Sequence, residues 1–199
     1  MQSPSTLDEV LTTIWHALYR GAVQKKDPLH TTTIGTVENG IAEMRTVVLR
    51  KTVTKARQLY FYTDIRSEKV DQIKINKTLS WLFYHPKKNF QIRATGSTTI
   101  QHKNKLTEQI WKNLPSYGRK TYGTIQSPST PLSQLSDDLP TLWKKEEIEL
   151  ADTEYAYENF AVVVSEIGAL EWLLLQRSGH QRARFVFDND EWDGQWIVP

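Results

Sequence analysis

Hydrophobic positions recur at three-to-four-residue intervals near the start of the chain, at Leu7, Val10, Leu11, Ile14, Leu18 and Tyr19. That period lines them along one side of a helix, with Ser5 or Thr6 as N-cap and Gly21 near its end, so an amphipathic helix is expected over residues 5–24. From Thr31 the period shortens to that of strands. Runs over residues 31–37 and 41–49 flank Glu38-Asn39-Gly40, and Asn-Gly between two β-rich runs predicts a hairpin because both residues tolerate positive φ. Further strands are expected over 58–63, 79–84, 90–99, 160–164, 169–175, 182–187 and 192–198, with turns at His85-Pro86-Lys87-Lys88, Ile167-Gly168 and Asp188-Asn189-Asp190. Short helices are expected over 67–75, 107–114 and 142–150, the last including a solvated face, Lys144-Lys145-Glu146-Glu147. Residues 115–140, rich in Ser, Thr, Pro and Gly, read as an ordered functional loop or a lid.

Many closely spaced strands with few, short helices predict a mainly β protein with flanking helices, built on a closed antiparallel barrel. No Gly-rich strand-to-helix turn supports a doubly wound nucleotide fold. One domain is expected over 1–199, with a barrel over 30–102 and 159–199 and a helical and loop insertion over 105–155.

Composition narrows the function classes. A 39% hydrophobic content in 199 residues supports a sizeable core, and a net charge of +2 announces no polyanion-binding surface, so no nucleic-acid partner is expected. The chain has no cysteine, which removes disulfides, thiolate catalysis and Cys-ligated metal, and fits a reducing cytoplasm. No leader-like segment opens the sequence, and no run approaches the roughly 20 apolar residues of a membrane span. His16, His30, His85 and His102 lack ligand spacing, so no metal site is expected. Of the seven tryptophans, Trp15, Trp81 and Trp143 sit within apolar patterns and read as core or interface, while Trp111 could flank a substrate mouth.

Cations and hydroxyls interrupt the hydrophobic runs at Arg45-Thr46-Val47-Val48-Leu49-Arg50, at Tyr62-Thr63-Asp64-Ile65-Arg66-Ser67-Glu68-Lys69 and at Asn89-Phe90-Gln91-Ile92-Arg93. A sheet that grips an anionic cofactor at its edge needs such groups. Together with Gln126-Ser127, Trp172, His180-Gln181-Arg182, Trp192 and Pro199, these motifs resemble, in order, those of the pyridoxamine 5′-phosphate oxidase family. The resemblance implies an FMN-binding split β-barrel of antiparallel Greek-key type.

It also implies roles. Arg45, Arg66 and Lys69 would bind the FMN phosphate, with Thr63 and Ser67 as hydroxyl donors, and Thr46, Arg50 and Tyr62 belong to the same cofactor segments. Ser67 and Lys69 can equally begin a helix whose N-terminus attracts phosphate. Backbone groups of Val47 and Val48 would border the flavin ring, Gln91 would pair with its pyrimidine side, and Trp172 would pack against it. Gln126 and Ser127 would reach a cofactor held mainly by a second copy, so a homodimer with FMN at its interface is implied. Arg182 would stabilise negative charge on the reduced ring, while Arg50 and His180 would position a small-molecule substrate; His180 is otherwise a plain hairpin residue.

One departure lies on the cofactor side, where Glu68-Lys69 stands in place of the oxidases' Arg-Lys, with Arg66 two positions earlier; the others lie on the substrate side. The tyrosine, arginine and serine that hold substrate phosphate in those oxidases correspond to Gln109, Asn113 and Tyr117, with Arg119 or Lys120 as possible replacements, and the first arginine of their substrate motif corresponds to Ser178. The expected function is an FMN-dependent oxidoreductase with altered substrate specificity; the alternative is a non-catalytic flavin carrier, sensor or electron-transfer protein.

Overall fold

The computed structural model describes residues 4–144 and 148–199. Helix α1 spans Leu7–Val23 and starts at Thr6, whose hydroxyl accepts from the Glu9 amide (3.2 Å) while the Glu9 carboxylate accepts from the Thr6 amide (3.3 Å). This reciprocal cap satisfies two donors that a helix start leaves open. Val10, Ile14, Trp15, Ala17 and Leu18 form the buried stripe that the spacing predicts.

Nine strands follow: β1 Thr31–Glu38, β2 Ile41–Val48, β3 Lys51–Val53, β4 Gln58–Asp64, β5 Thr78–His85, β6 Phe90–His102, β7 Phe160–Leu174, β8 Gln181–Asp188 and β9 Glu191–Trp196. The helices between them are α2 Glu68–Ile75, α3 Lys105–Lys112 and α4 Ser116–Arg119. Asn39 and Gly40 adopt φ of 50° and 80°, so the β1–β2 hairpin turns where the Asn-Gly pair predicts. The sheet runs β2-β1-β5-β6-β7-β4-β3, and β8 and β9 branch from β7. The mainly β, antiparallel class with flanking helices is therefore present. Ring closure is not: among the described residues β2 and β3 are the ends of the path, and the 15-residue β7 pairs with β6, β4 and β8.

Three other expectations change. Residues 160–164 and 169–175 form one strand, not two: Ile167 is fully buried, its amide donates to the Arg57 carbonyl (2.8 Å), and Gly168 does not adopt positive φ, so no turn forms at Ile167-Gly168. The helix expected over 142–150 is represented by 3-10 turns at Thr141–Lys144 and Ala151–Asn159, and Lys145, Glu146 and Glu147 lie outside the described residues. Within residues 115–140, α4 and a 3-10 turn at Lys120–Tyr122 replace the front of the expected loop.

The chain divides into two compact units, one comprising the chain up to Phe61 with Asn76–Thr99 and Val164–Pro199, the other Tyr62–Ile75 and Ile100–Val163. In the first, Trp81 stacks on Phe83 (5.8 Å between centroids) and meets Phe61 edge-on (5.6 Å). The Trp81 indole N–H donates to the Ser165 hydroxyl (3.1 Å), which also bonds Thr98 (3.1 Å), so the polar atoms of this core are paired as burial requires. In the second, Phe160 gathers Tyr62, Trp111 and Tyr122 at 5.0–5.4 Å, which makes Trp111 core rather than substrate mouth.

A Cβ on Gly96 would lie 2.2 Å from the Glu166 carbonyl oxygen, whereas one on Gly35 would meet nothing nearer than Ser80 Cβ at 3.9 Å. Gly96→Ala is expected to cost about 2 kcal/mol or more through forced backbone displacement, and Gly35→Ala less than about 1 kcal/mol, read by denaturant unfolding of both variants.

Candidate functional site

In the second unit, the end of β4 and the start of α2 bring three donors together. Thr63 and Ser67 are buried, their hydroxyl oxygens lie 3.2 Å apart, and the Lys69 ammonium donates to Thr63 Oγ1 at 3.4 Å. Ser67 also donates to the Asp64 carbonyl (2.7 Å), which fixes its hydroxyl just ahead of α2. Two hydroxyls and an ammonium at a helix start suit a phosphate, through charge-assisted hydrogen bonds and the helix dipole. Arg66 is held by Asp64 at 2.7 and 3.0 Å, and donates to the carbonyls of Thr124 and Ile125 (3.2 Å each). Asp64 thereby keeps the guanidinium charged and raises its pKa. The adjoining segment carries the exposed Gln126 and Ser127, anchored by the Gln126 amide on Asp138 (2.6 Å). Sequence-separated motif residues thus meet here: Arg66 lies against the segment leading into Gln126.

In the first unit, β2 is an end strand with one unpaired edge. Arg45 pairs across the ladder with the fully buried Ile34, and Thr46 with Thr33, so the side chains of Arg45 and Val47 share one face while those of Thr46 and Val48 share the other. A ligand along this edge meets backbone from all four residues but side chains from alternate ones. The Arg45 guanidinium donates to the Thr36 hydroxyl and the Glu43 carbonyl. Arg50 follows β2 on an exposed corner, its amide donating to the Tyr60 carbonyl (2.9 Å).

Arg182 is bound by Glu171, which accepts from its Nε (3.2 Å) and Nη2 (2.7 Å). Glu171 also pairs with Arg93 (3.2 Å) and Arg184 (3.7 Å), so three guanidinium groups share one carboxylate. Burial alone would push the Glu171 carboxyl up, but the Arg182 hydrogen bonds and the charges of Arg93 and Arg184 outweigh it and hold the group below the ordinary carboxylate range. The sequence reading missed this cluster. Its signal was the alternation Arg182, Arg184 on one strand and the lone acid at Glu171 on its partner.

The register also separates two residues expected to touch one ring. Trp172 lies opposite Ala183 and Arg182 opposite Leu173, so the Trp172 and Arg182 side chains leave opposite faces of the β7–β8 ladder. Gln91, opposite Tyr84, sits half-buried two residues from Arg93. His180 closes the β7–β8 connection, where its Nδ1 accepts from the Gln176 amide at 3.2 Å.

Residues 12–102 match the family model described as pyridoxamine 5′-phosphate oxidase, FMN-binding domain. This segment is similar to the FMN-binding domain of the pyridoxamine 5′-phosphate oxidases. The matched segment contains the Arg45–Arg50, Tyr62–Lys69 and Gln91 motifs, and the cofactor of such a domain is FMN. Its fold is shared with a pyridoxamine 5′-phosphate oxidase-related, FMN-binding protein from Nostoc punctiforme, at 23% identity and a TM-score of 0.71 over 94% of this chain and 96% of that one. PhzG from Burkholderia lata, crystallised with tetrahydrophenazine-1-carboxylic acid, matches over 100% of this chain and 95% of its own at 15% identity and a TM-score of 0.67. A Clostridium acetobutylicum protein related to general stress protein 26 matches over 96% and 97% at 13% identity and a TM-score of 0.53. No curated protein sequence matches the chain. No helix among the described residues is long and apolar enough to cross a membrane, and no cluster of His, Cys, Asp or Glu among them could hold a metal ion.

The donor set at Thr63, Ser67 and Lys69 fits the phosphate of an oxidase-type FMN. The positions expected on a substrate side are 109, 113, 117 and 119. The Asn113 side-chain amide donates to the Gln109 backbone carbonyl (2.8 Å), Tyr117 is exposed, and Arg119 is buried and spent on the carbonyls of Trp111 (2.8 Å) and Leu114 (3.1 Å), on Thr153 (3.1 Å) and on Glu154 (2.5 Å). Arg119 is therefore a packing residue.

Arg119→Ala is expected to lower stability by about 2 kcal/mol or more, because several buried acceptors lose their donor together, measured by chemical unfolding. For Glu171 the folded-state pKa lies below the unfolded one, so its contribution is complete above about pH 4.3 and is lost as the pH falls through the depressed value. Glu171→Gln should lower Tm near neutral pH, with the deficit against wild type narrowing near pH 3 in thermal melts.

Proposed function

We propose that this chain is a homodimeric, cytoplasmic FMN-dependent oxidoreductase, related to pyridoxamine 5′-phosphate oxidase but with a different substrate. The observation that carries this reading is the convergence of Thr63, Ser67 and Lys69 within 3.4 Å at the start of α2, against a substrate side without a free guanidinium at positions 109, 113, 117 or 119.

Lys69, Ser67 and Thr63 bind the FMN phosphate, with Arg66 holding the adjoining 124–125 segment. The free edge of β2 offers the Val47 and Val48 backbone to the ring, and Gln91 offers its amide to the pyrimidine side. Gln126 and Ser127, exposed on their own chain, reach the cofactor of a second copy. Trp172 packs on the ring, Arg182 stays paired with Glu171 on the opposite face of the ladder, and Arg50 and His180 orient the substrate. The chemistry that bound FMN supplies is two-electron oxidation, with O2 or another acceptor removing the electrons. The substrate class is a reduced amine or alcohol beside a conjugated ring; the reduced heterocycle held by the fold neighbour PhzG is of that kind.

Titration of purified protein with FMN, followed by flavin fluorescence, should give one cofactor per chain. Lys69→Ala should weaken binding roughly tenfold or more, the scale of one charge-assisted hydrogen bond. A colourless protein that takes up no FMN overturns the reading. Anaerobic addition of pyridoxamine phosphate should bleach the bound flavin slowly or not at all; rapid bleaching would restore the oxidase specificity. The ion pair that engages Arg182 with Glu171 favours a second reading, a flavin carrier without turnover, which any rapid flavin reduction by an organic substrate would eliminate.

A further inference from the structure

A run of hydrogen bonds inside the second unit joins the donors at the start of α2 to the segment that carries Gln126 and Ser127. Asp64 stands at its centre. The Asp64 carbonyl accepts from the Ser67 hydroxyl (2.7 Å) and amide (3.2 Å), while its buried carboxylate accepts from the Arg66 amide (2.8 Å), Nε (3.0 Å) and Nη2 (2.7 Å). Arg66 passes the connection on: Nη1 donates to the Ile125 carbonyl (3.2 Å), and Nη2 to the Thr124 carbonyl (3.2 Å) and hydroxyl (3.1 Å). The Thr124 hydroxyl then donates to the Gln126 carbonyl (3.0 Å). From the other side, Asp138 accepts from the Gln126 amide (2.6 Å) and the Ile125 amide (2.9 Å).

This bonding assigns the guanidinium a different task from the one the oxidase motifs imply. Nη2 alone meets three acceptors with its two hydrogens, and Nε is held by Asp64, so the planar fork is committed to the chain itself. Lys69, by contrast, reaches Thr63 among the donors that suit phosphate. A fork that joins a carboxylate to successive carbonyls fixes the backbone of residues 124–126 while the Gln126 and Ser127 side chains stay exposed.

We propose that Arg66 is a positioning residue that acts in trans: anchored by Asp64, it sets Gln126 and Ser127 for the FMN of the second copy instead of gripping the phosphate held by its own chain. The inference rests on the reading of a homodimer with shared FMN sites, and the experiment separates the two.

Arg66→Ala and Lys69→Ala homodimers should each bind FMN roughly tenfold more weakly than wild type. The two variants, co-expressed with different affinity tags and isolated through both tags, form a mixed dimer. With Arg66 acting in trans, one site of that dimer combines an intact Lys69 with a Gln126-Ser127 segment set by an intact Arg66, and the other site collects both defects. Flavin fluorescence titration should therefore show wild-type affinity for one FMN per mixed dimer. With Arg66 acting on its own chain's phosphate, each site carries one defect and neither recovers. Arg66→Lys keeps the charge but lacks the fork, so it should weaken FMN binding as Arg66→Ala does, and it carries the same mixed-dimer test where Arg66→Ala does not fold. A mixed dimer without a restored site, or Arg66→Ala or Arg66→Lys homodimers with wild-type FMN affinity, would overturn this inference alone. Wild-type protein that takes up no FMN, or binds it as a monomer, would overturn the shared-site reading and this inference with it.

Discussion

Pairing along β7 is the constraint on which this architecture turns. Its 15 residues bond β6, β4 and β8, so one strand ties the β1–β2–β5–β6 side of the sheet to β4 and β3 and to the β8–β9 hairpin. The close approach at Gly96 follows from that demand, since a side chain there would enter the Glu166 carbonyl. Alternation along the same strand then sorts the chemistry: Leu170, Trp172 and Leu174 go to the buried face, Glu171 to the other. A shift of one residue would exchange that buried face for the arginine cluster.

The charged groups show how much of a basic composition is spent on structure. Arg119 is buried and answered by carbonyls, a hydroxyl and Glu154, and its guanidinium lies 4.6 Å from the Trp111 ring centroid. Arg66 is tied to Asp64 and to the 124–125 carbonyls, and Arg182 to Glu171. Removing such cations from water is costly unless each donor finds an acceptor, which is why their partners are dense. The Thr63, Ser67 and Lys69 group differs: two hydroxyls and an ammonium meet at a helix start, a donor set suited to an external anion.

Much of this was legible beforehand because local rules determine it. The period of α1, the Asn39-Gly40 turn and the order of the strands depend on neighbouring residues and backbone preference. The Thr63, Ser67 and Lys69 group was legible for the same reason, since seven consecutive residues hold it and a helix start fixes their spacing. Gly168 misled because glycine reads as a breaker locally, whereas the ladder around the buried Ile167 carries the strand straight through. Arg119 misled because nothing in its neighbourhood announces that Thr153 and Glu154, over thirty residues later, will enclose it.

The sequence by itself determined the elements, their mainly β class, the absence of cysteine chemistry and the donors that suit FMN phosphate, since these follow from periodicity, composition and short-range motifs. Tertiary structure alone decided that the sheet path stays open, that Glu171 gathers Arg93, Arg182 and Arg184, and that Trp172 turns away from Arg182 onto the buried face. The reason is physical: each depends on strand register or on burial shared between distant segments, and neither is encoded in the spacing of residues along the chain.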